Sequence, residues 1–480
     1  MFLGDQGRDA LIVKKIVLFQ NFPAIGPPSS IGEVFLGPFY YYLVAPFLFL
    51  TRLNPVGLAL GVALLSSLGA YIVYHISRKS ISKIGAIYFF LLVTFSSELV
   101  RIARFSWNPN LLPYFAFITL YLFFRSMEEK NKYKTLHTIF FGIFFGLSFQ
   151  LHHLAGLLAL PIAVFFIGEL IRRKNIKLFI IPLLSLGAFL FTLTPLAIFE
   201  LRHQFLNTRN LISVFTQQNI VSSGPLYMRI YEINNKFIEF ALHYSVPSFI
   251  SLMIILGILG ISIWKCYKKY NAFVALNILA VVFYLFGFSR VNSSLIPHYY
   301  NAIYISFYFL FAYVLDFAIV KQKMDPDVRR DDTKNNTKKP AMLFRRIAVI
   351  IPSLFIVFGF VAFQLSSFDF ITGKGSFQDE SARNIGAFIA QQEGKKKINL
   401  TTYPTDFTSR DCYQYFVELN GGNVVSGASP EVTDTLYVLC NKQPCRIINS
   451  DSWNIQMFGS AKIDTMWNKD GLSIYKLVHQ

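Results

Sequence analysis

The sequence predicts a mainly α-helical membrane protein, namely a polytopic bundle of transmembrane helices followed by a small extracytoplasmic α+β domain. Three observations lead to this fold class. The mean hydropathy is +0.45. Only 15% of the residues are charged and 54% are apolar, whereas soluble domains carry roughly 25% charged residues. A soluble fold would also expose much of the apolar surface of 51 Phe and 25 Tyr residues, so a membrane bundle explains the composition more simply.

The net charge of +18 is also consistent with a membrane protein. In a soluble protein it would suggest a nucleic-acid partner. Here the basic residues cluster at the ends of apolar runs, which is the positive-inside pattern of membrane proteins. We therefore expect no nucleic-acid binding.

Apolar runs with roughly the length of a membrane crossing, about 20 residues, identify the candidate spans. They are 34–52, 55–76, 84–98, 111–124, 138–151, 154–171, 178–199, 241–263, 271–289, 299–320 and 346–367.

Basic segments predict the orientation, because cytoplasmic loops are rich in Lys and Arg. The predicted cytoplasmic loops are 125–134, 172–177, 265–269 and 321–346. The outward segments are then 99–110, 200–240, 290–298 and everything after 368. This orientation needs an even number of crossings before 111–124. We expect that the short run 84–98 does not cross fully, or else that the loop 125–134 is misassigned.

The chain is accordingly divided into five segments. They are a first outer loop with a juxtamembrane helix (1–33), a transmembrane bundle (34–320), a cytoplasmic linker (321–345), a last transmembrane helix (346–367) and the extracytoplasmic domain (368–480). An outward start without a preceding helix suggests either an N-terminally truncated chain or a terminus translocated without help. We favour truncation.

The polar C-terminal region has the patterns of a mixed domain. The segments INLTTY, DTLYVLC and GLSIYKLV are typical of strands, and ESARNIGAFIAQQ is typical of a helix. Cys440 and Cys445 could form a disulfide there, or Cys412 could pair with either. Free thiols are the alternative.

The segment GDQGRDA (4–10) combines acid and base. If it is helical, Asp5, Arg8 and Asp9 share one face at the spacing i, i+3, i+4. Such a face could hold a general base and a phosphate-binding cation. The alternative is a solvated loop with a local ion pair.

The segment SSELVRIARFSWNPN (96–110) places Glu98, Arg101 and Arg104 along one helical stripe. Arginines on the predicted outward side depart from the positive-inside bias. A lipid phosphate is a suitable partner for them. The alternative is an interfacial salt bridge between Glu98 and Arg101.

Further polar groups lie in the other outward segments or at their edges. Asn207 is a candidate helix cap near Glu200. These polar groups could bind a substrate. The alternatives to that role are an aromatic belt, buried core histidines and ordinary polar loops. A shared cavity for an anionic lipid headgroup would explain all the Arg and His positions together. The remaining candidates are Glu33, Asn108, Asn110, His152, His153, Arg202, His203 and His298.

The order of these elements resembles the polytopic GT-C glycosyltransferases of the protein O-mannosyltransferase type (glycosyltransferase family 39), which includes the bacterial aminoarabinose transferases. DQGR (5–8) is similar to the acidic-x-x-Arg motif of their first outer loop, and GPFYYYLVAP to the start of their second span. ARFSWNPNLLPYF, QLHH and FELRHQFLNTRN look like segments of prokaryotic members. The resemblance covers about residues 1–310 and depends on the order of the motifs.

The resemblance implies an inverting transfer of a sugar from a polyprenyl-phosphate donor to a glycan, lipid or protein acceptor at the outer face. It implies that Asp5 is the catalytic base and that Arg8 binds the donor phosphate, together with Arg104 and Arg202. The candidate substrate-binding residues are Asp9, Glu33, Arg101, Asn108, Asn110, His152, His153, His203 and His298.

Two positions depart from the family pattern. Gln6 follows Asp5 where the family often has Glu, and Asn110 stands near an acidic residue of many members. A paired-carboxylate mechanism is therefore not expected. Some relatives use a divalent metal, so a divalent metal is the alternative here, although the few outer acids suggest no metal site and no certain cofactor.

Two other functions fit parts of the pattern. A transporter or flippase of lipid-linked glycans should carry polar residues through the depth of the membrane, whereas here they gather at one face. An inactive, truncated family member acting as a scaffold is the other alternative.

Overall fold

The computed structural model describes residues 2, 4–29, 33–217, 225–291, 295–316, 338–373, 378–404, 409–427, 429–441, 445, 447–448, 450 and 452–480. These residues form two compact units. The helical unit comprises 23–43 and 59–372, and the α+β unit comprises 1–22, 44–58 and 373–480. The predicted fold class, a helical bundle with a small α+β domain, is confirmed.

Helices account for most of the described residues. In chain order they are α1 (Gly4–Val17), α2 (Phe39–Leu50), α3 (Val56–Ser77), α4 (Lys83–Phe95), α5 (Ser97–Ala103), α6 (Leu112–Met127), α7 (Lys134–Leu151), α8 (Ala159–Arg173), α9 (Ile180–Thr192), α10 (Thr194–Arg202), α11 (Leu206–Gln217), α12 (Leu226–Leu242), α13 (Ser248–Lys268), α14 (Ala272–Ser289), α15 (Tyr304–Leu315), α16 (Lys338–Ser366), α17 (Asp369–Thr372), α18 (Gln378–Glu393), α19 (Arg410–Leu419) and α20 (Trp453–Phe458). Short 3₁₀ turns occur at Asn108–Leu111, His153–Leu158, Ile176–Phe179 and Pro297–Tyr300.

Within the described residues, four helices are long and apolar enough to cross a membrane, and two bent pairs would raise the number to six. The four are Val56–Ser77, His153–Arg173, Ser248–Lys268 and Ala272–Ser289. The bent pairs are α4 with α5, at 55°, and Ile176–Thr192 with α10, at 58°. Shorter apolar helices occur at Phe39–Leu50, Tyr304–Leu315 and Ile351–Ser366. The chain is thus a multi-pass membrane protein.

The bend between α4 and α5 has a local cause. Ser96 leaves the helical conformation, with φ −59° and ψ 117°, and its hydroxyl accepts a hydrogen bond from the backbone N–H of Leu99 at 3.3 Å. A serine in this position ends one helix and caps the next. The predicted run 84–98 is therefore interrupted near its end. Whether it crosses the membrane stays a prediction.

Two predicted boundaries differ from the structure. The predicted run 241–263 begins too early, because a polar connection with His243 at φ +53° precedes α13. The predicted outer segment 200–240 is largely helical, since it contains α11 and α12. Residues 321–337 of the predicted linker lie outside the described residues.

The helical unit is fastened at one end by a buried network. Both carboxylate oxygens of Asp316 accept hydrogen bonds from Ser82, one from its backbone N–H and one from its hydroxyl, each at 2.7 Å. Nζ of Lys265 donates to the backbone oxygens of Tyr313 and Asp316 at 2.5 and 2.8 Å. These contacts supply hydrogen-bond partners for backbone groups at the N-terminus of α4 and the C-terminus of α15, because the end groups of a helix have no partner inside it.

The α+β unit contains one five-stranded sheet. Its strands are β1 (Lys397–Tyr403), β2 (Asn423–Val424), β3 (Thr435–Cys440), β4 (Ala461–Lys469) and β5 (Leu472–His479), in the order β2-β1-β3-β5-β4. β1 pairs in parallel with β2 and β3, and β5 pairs antiparallel with β3 and β4. The sequence patterns indicated β1, β3 and β5. They missed β2, a strand of 2 residues, and β4, an edge strand with little buried surface.

The N-terminal helix α1 packs on α19 in this unit. A Cβ on Gly7 would lie 2.6 Å from the backbone nitrogen of Cys412, so only glycine permits this approach. Nζ of Lys14 pairs with Glu418 at 2.7 Å. Cys440 and Cys445 form the disulfide. Cys412 is buried and takes no part in this disulfide, and the predicted alternative of a disulfide at this residue is wrong.

Candidate active site

The acidic cluster of α1 consists of Asp5, Arg8 and Asp9. As the spacing predicts, all three lie on one face, and the guanidinium of Arg8 contacts both carboxylates at 2.8 Å. The Asp5 side chain is 45% exposed, whereas that of Asp9 is fully buried. The cluster therefore offers an accessible carboxylate whose neighbouring cation is already shared between two acids.

The helical unit contains a separate cavity of about 510 Å³. One wall comes from α5 and the segment after it, a second from the end of α12 and the connection to α13, and a third from the turn at Pro297–Tyr300. Apolar surface from Phe105, Trp107 and Phe240 lies beside the polar groups of Glu98 and Arg101. The cavity is therefore amphipathic.

The Glu98–Arg101 pair gives the cavity its cation. Arg101 donates to Glu98 from Nε at 3.0 Å and from Nη2 at 2.6 Å. The Glu98 side chain is 3% exposed and that of Arg101 is 48% exposed. Since a guanidinium has five N–H groups and two point at Glu98, three remain for an anion. The predicted salt bridge is observed, and it leaves Arg101 able to bind a further group.

His298 lies in the third wall. Its ring contacts Trp107 and Tyr299, each with centroids 4.5 Å apart, and His152 at 5.6 Å. Burial, together with the positive charge of Arg101, lowers the pKa of His298 to about 4. The imidazole is therefore neutral near pH 7, and it can donate and accept hydrogen bonds without adding charge.

Hydrogen bonds to the backbone fix this wall. The hydroxyl of Tyr284 donates to the carbonyl of Tyr299 at 2.6 Å. Nδ2 of Asn301 donates to the carbonyl of Pro109 at 2.7 Å. Nδ2 of Asn108 donates to the carbonyl of Leu151 at 2.6 Å. Asn108, a predicted substrate-binding residue, thus has a structural contact that joins neighbouring segments.

Asn110 is fully buried in the 3₁₀ turn after Trp107. Its Nδ2 donates to the carbonyl of Phe105 at 2.9 Å. His152 ends α7, and its Nδ1 accepts from the backbone N–H of Leu154 at 3.2 Å. His153 packs on Phe149, with ring centroids 5.1 Å apart. These contacts agree with structural roles, for a buried Asn110 and two partly buried histidines, and their substrate-binding roles stay predictions.

The other predicted residues do not line this cavity. The guanidinium of Arg104 lies 3.6 Å from the ring centroid of Phe370, and burial lowers its pKa. Arg202 and His203 are exposed, and His203 stacks on Phe199. Glu33 is exposed at φ +52°.

The helix α11 is capped by a residue other than the predicted one. The carboxylate of Glu200 accepts the backbone N–H groups of Asn207 and Thr208, both at 2.8 Å. Asn207 instead binds the backbone of Phe35, with Oδ1 accepting at 2.6 Å and Nδ2 donating at 3.0 Å. The prediction that Asn207 caps this helix is wrong, because its side chain joins the segment before α2.

Sequence reasoning missed His243, Tyr244 and Ser245 of the second wall. They fell inside the predicted run 241–263, which was read as one uninterrupted span. The polar triplet HYS followed by Pro247 was the available signal of a helix boundary. Among the described residues, no group of three His, Cys, Asp or Glu side chains is arranged to hold a metal ion.

The arrangement suits an amphipathic anion. Arg101 can bind a phosphate by several N–H groups, and the neighbouring aromatic side chains can cover an apolar chain or a sugar face.

The chain is similar to known proteins in part of its sequence and in its fold. Residues 36–199 match the family described as dolichyl-phosphate-mannose-protein mannosyltransferase. The fold is similar to that of ArnT from Cupriavidus metallidurans bound to undecaprenyl phosphate, with a TM-score of 0.62, 14% identity, and coverage of 99% of this chain and 94% of that one. The apo state of the same protein matches with a TM-score of 0.61 and 13% identity, and the match covers 98% of this chain and 93% of that one. No curated protein sequence matches significantly. The predicted resemblance to GT-C glycosyltransferases is confirmed.

Proposed function

We propose that this chain is a membrane glycosyltransferase that moves a sugar from a polyprenyl-phosphate donor to an acceptor at the outer face of the membrane. The observation that carries the proposal is the amphipathic cavity of the helical unit, with Arg101 exposed among aromatic side chains. A polyprenyl-phosphate sugar has the same combination of features, since it joins an anion to an apolar chain and a sugar ring.

In this proposal Arg101 binds the donor phosphate. As the bond between the sugar and the phosphate breaks, negative charge grows on the phosphate oxygen, and a fixed cation stabilises that charge. Glu98 holds the guanidinium at two points, so Arg101 needs little reorganisation during the reaction. The neutral ring of His298 supplies a hydrogen-bonding group without competing for the anion.

Asp5 is the proposed general base, and this assignment depends on the resemblance of DQGR to the family motif. An acceptor hydroxyl attacks the anomeric carbon while a carboxylate takes its proton. An inverting transfer needs no covalent intermediate with the enzyme. The exposure of the Asp5 carboxylate agrees with this role. The phosphate contacts predicted for Arg8, Arg104 and Arg202 stay predictions, because none of the three lines the cavity. The proposed acceptor is a glycan, lipid or protein.

The test uses the purified chain in lipid nanodiscs, with radiolabelled polyprenyl-phosphate sugars as donors and a membrane extract as acceptor. Ser245 is exposed at the cavity. We expect Ser245→Trp to block binding of polyprenyl phosphate and transfer of the sugar, whereas the matched Ser245→Ala retains both. Equal binding and transfer in the two variants would contradict the proposed site. Movement of the donor across a bilayer without transfer would instead favour a flippase.

The proposed orientation places the cavity and the C-terminal domain on the extracytoplasmic side. Arg209 is exposed in the predicted outer segment 200–240, and Lys177 is exposed in the predicted cytoplasmic loop 172–177. A membrane-impermeant maleimide should label Arg209→Cys in intact cells and Lys177→Cys only after permeabilisation. The reverse pattern would overturn the orientation.

A further inference from the structure

Two buried hydrogen-bond bridges connect the same two helix ends in the helical unit. In the glutamine bridge, Oε1 of Gln364 accepts from the backbone N–H of Ser97 at 2.8 Å and from its hydroxyl at 2.6 Å. Nε2 of Gln364 donates to the carbonyl of Leu242 at 2.6 Å. Gln364 is fully buried on α16.

The tyrosine bridge runs beside it. The hydroxyl of Tyr308, on α15, donates to the carbonyl of Ala241 at 2.7 Å. The same oxygen lies 2.8 Å from the hydroxyl of Ser96, which can donate to it. Tyr308 is also fully buried.

The attachment points of both bridges directly precede the walls of the cavity. Ser96 and Ser97 come immediately before Glu98, at the bend between α4 and α5. Ala241 and Leu242 come immediately before His243 at the end of α12. Gln364 and Tyr308 do not line the cavity themselves.

The chemistry at these points explains the residue types. The first N–H groups and last C=O groups of a helix have no partner inside the helix. Ser97 lies in the first turn of α5, and the two carbonyls lie in the last turn of α12. A neutral amide can accept at one end and donate at the other, and a phenol can do both with one oxygen. In buried surroundings such bonds are strong and geometrically demanding.

We propose that Gln364 and Tyr308 are positioning residues that set the separation of the two cavity walls. Through Ser97 and Ser96 they hold the α5 wall that carries Arg101, and through Leu242 and Ala241 they hold the wall that carries His243. The kinetic part of this inference rests on the proposed function, and the structural part does not.

The structural test measures the separation of the walls directly. Spin labels at Arg104→Cys and Ser245→Cys, in a Cys266→Ala, Cys412→Ala background, report the spacing between α5 and the end of α12 in nanodiscs. Gln364→Met is similar in length and removes both halves of the glutamine bridge, so the distance distribution should broaden. Gln364→Glu keeps the acceptor for Ser97 but cannot donate to Leu242 when ionised, so it should broaden the distribution as well.

The matched control lies on the same helix. The hydroxyl of Ser353 donates to the carbonyl of Leu315 at 3.2 Å and is buried. Ser353→Ala removes a buried hydrogen bond from α16 to a helix end without touching either wall. We expect it to leave the label distances as in the parent protein. Equal distances in Gln364→Met and in the parent protein would overturn the inference.

The kinetic test separates positioning from general stability. Misplacing a binding group by about 1 Å can reduce a rate on the order of 100-fold, so we expect kcat/KM for the donor to fall about 10- to 100-fold in Gln364→Met. Tyr308→Phe should have a smaller effect. The double variant should lose more than the product of the two losses, because each bridge holds the walls when the other is absent.

The outcomes distinguish this inference from the proposed function. If the parent protein transfers no sugar, the proposed function fails, while the label distances still decide the role of Gln364. If the parent is active and Gln364→Met lowers the unfolding midpoint as Ser353→Ala does, with unchanged distances and kcat/KM, Gln364 is only a structural contact and the inference is wrong.

Discussion

The acidic cluster of α1 and the Glu98–Arg101 pair contain the same motif, an acid followed three residues later by arginine. The two sites nevertheless expose different chemical groups. In α1 the guanidinium of Arg8 also contacts Asp9, so two carboxylates share one cation. In α5 one carboxylate faces one guanidinium, and Arg101 stays 48% exposed. Two features cause the difference: Asp9 adds a second carboxylate to the cluster of α1, and Asp5 is exposed whereas Glu98 is buried.

In such an ion pair, the number of carboxylates around the guanidinium and the burial of each group decide which side chain can contact a substrate. In the acidic cluster the formal charge is −1, so the group best able to react is the exposed carboxylate of Asp5. In the Glu98–Arg101 pair the carboxylate is buried and both of its oxygens bind Arg101, so the accessible group is the cation. The first cluster therefore suits a base and the second suits an anion site. The predictions below test this division, from the largest expected effect to the smallest.

The largest effect is expected for Asp5→Asn. Loss of a general base reduces a rate about 100- to 10,000-fold, so sugar transfer should nearly disappear while the protein still folds and inserts. Folding should persist because the exposed Asp5–Arg8 pair contributes only about 0–1 kcal/mol and Arg8 keeps Asp9. The measurement is transfer from a polyprenyl-phosphate donor, with the unfolding midpoint recorded beside it.

The control for Asp5→Asn is Asp379→Asn. Asp379 pairs with Arg383 at 3.2 Å on α18 of the same unit, so this variant also removes one carboxylate charge from a helical ion pair. It should retain transfer. Unchanged transfer in Asp5→Asn would remove Asp5 from the mechanism.

The second effect concerns the cation of the cavity. Arg101→Ala alone would leave Glu98 as a buried unpaired charge, which costs about 3–5 kcal/mol and would obscure the result. The double variant Glu98→Gln, Arg101→Gln removes the cation and keeps a neutral pair. Loss of one fixed group that stabilises developing charge costs about 100- to 1,000-fold, and we expect kcat/KM for the donor to fall by that amount.

A matched pair elsewhere in the helical unit controls for folding. Arg125 and Glu128 have the same spacing, with Nε of Arg125 2.9 Å from Glu128. The variant Arg125→Gln, Glu128→Gln should leave kcat/KM near that of the parent protein. If both double variants were equally active, Arg101 would not be the phosphate-binding group.

The sequence was sufficient to predict the structure where a residue type has one physical role. Apolar length located the long apolar helices of the bundle but not α11 and α12. Strand patterns located β1, β3 and β5, and helical spacing placed Asp5, Arg8 and Asp9 on one face. It was insufficient where the outcome depends on a distant partner. Asn207 looks like a cap, but the carboxylate of Glu200 takes that place and the Asn207 amide binds the backbone of Phe35.

The cavity is a second case in which the sequence alone did not identify the contacts between distant residues. Arg101 was one candidate among several outward cations. Its spacing from Glu98 predicted a salt bridge, and the phosphate was assigned to Arg104 instead. The structure separates them, because Arg101 faces the cavity and Arg104 lies over Phe370. His243 was hidden inside an apolar run. Such positions depend on contacts between residues far apart in sequence, which periodicity does not record.

A smaller effect is therefore expected for the two predicted phosphate contacts outside the cavity. Arg104→Ala and Arg202→Ala remove exposed cations, whose influence on a charged ligand is long-range and screened by salt. We expect each to lower kcat/KM about threefold at low ionic strength and less at 0.5 M salt. A loss as large as that of the Glu98, Arg101 double variant would place the phosphate at that residue instead.

The smallest effect is a pH dependence that reports the charge of Arg101. Burial and Arg101 lower the pKa of His298 to about 4, while an unfolded histidine titrates near 6.5. Between these values the unfolded chain binds a proton that the folded chain does not, so the free energy of unfolding falls as the pH drops from about 6.5 to 4.

His298→Gln should therefore show a weaker loss of stability between pH 7 and 5 than the parent protein, measured by the unfolding midpoint. His75→Gln, which changes an exposed ring, should behave as the parent. The sharper comparison is with Glu98→Gln, Arg101→Gln. If Arg101 carries charge that Glu98 does not cancel, removing the pair raises the pKa of His298 and flattens the dependence, because the folded and unfolded values move closer. An unchanged dependence would mean that the pair acts as a neutral unit, and the contrast with the acidic cluster of α1 would be lost.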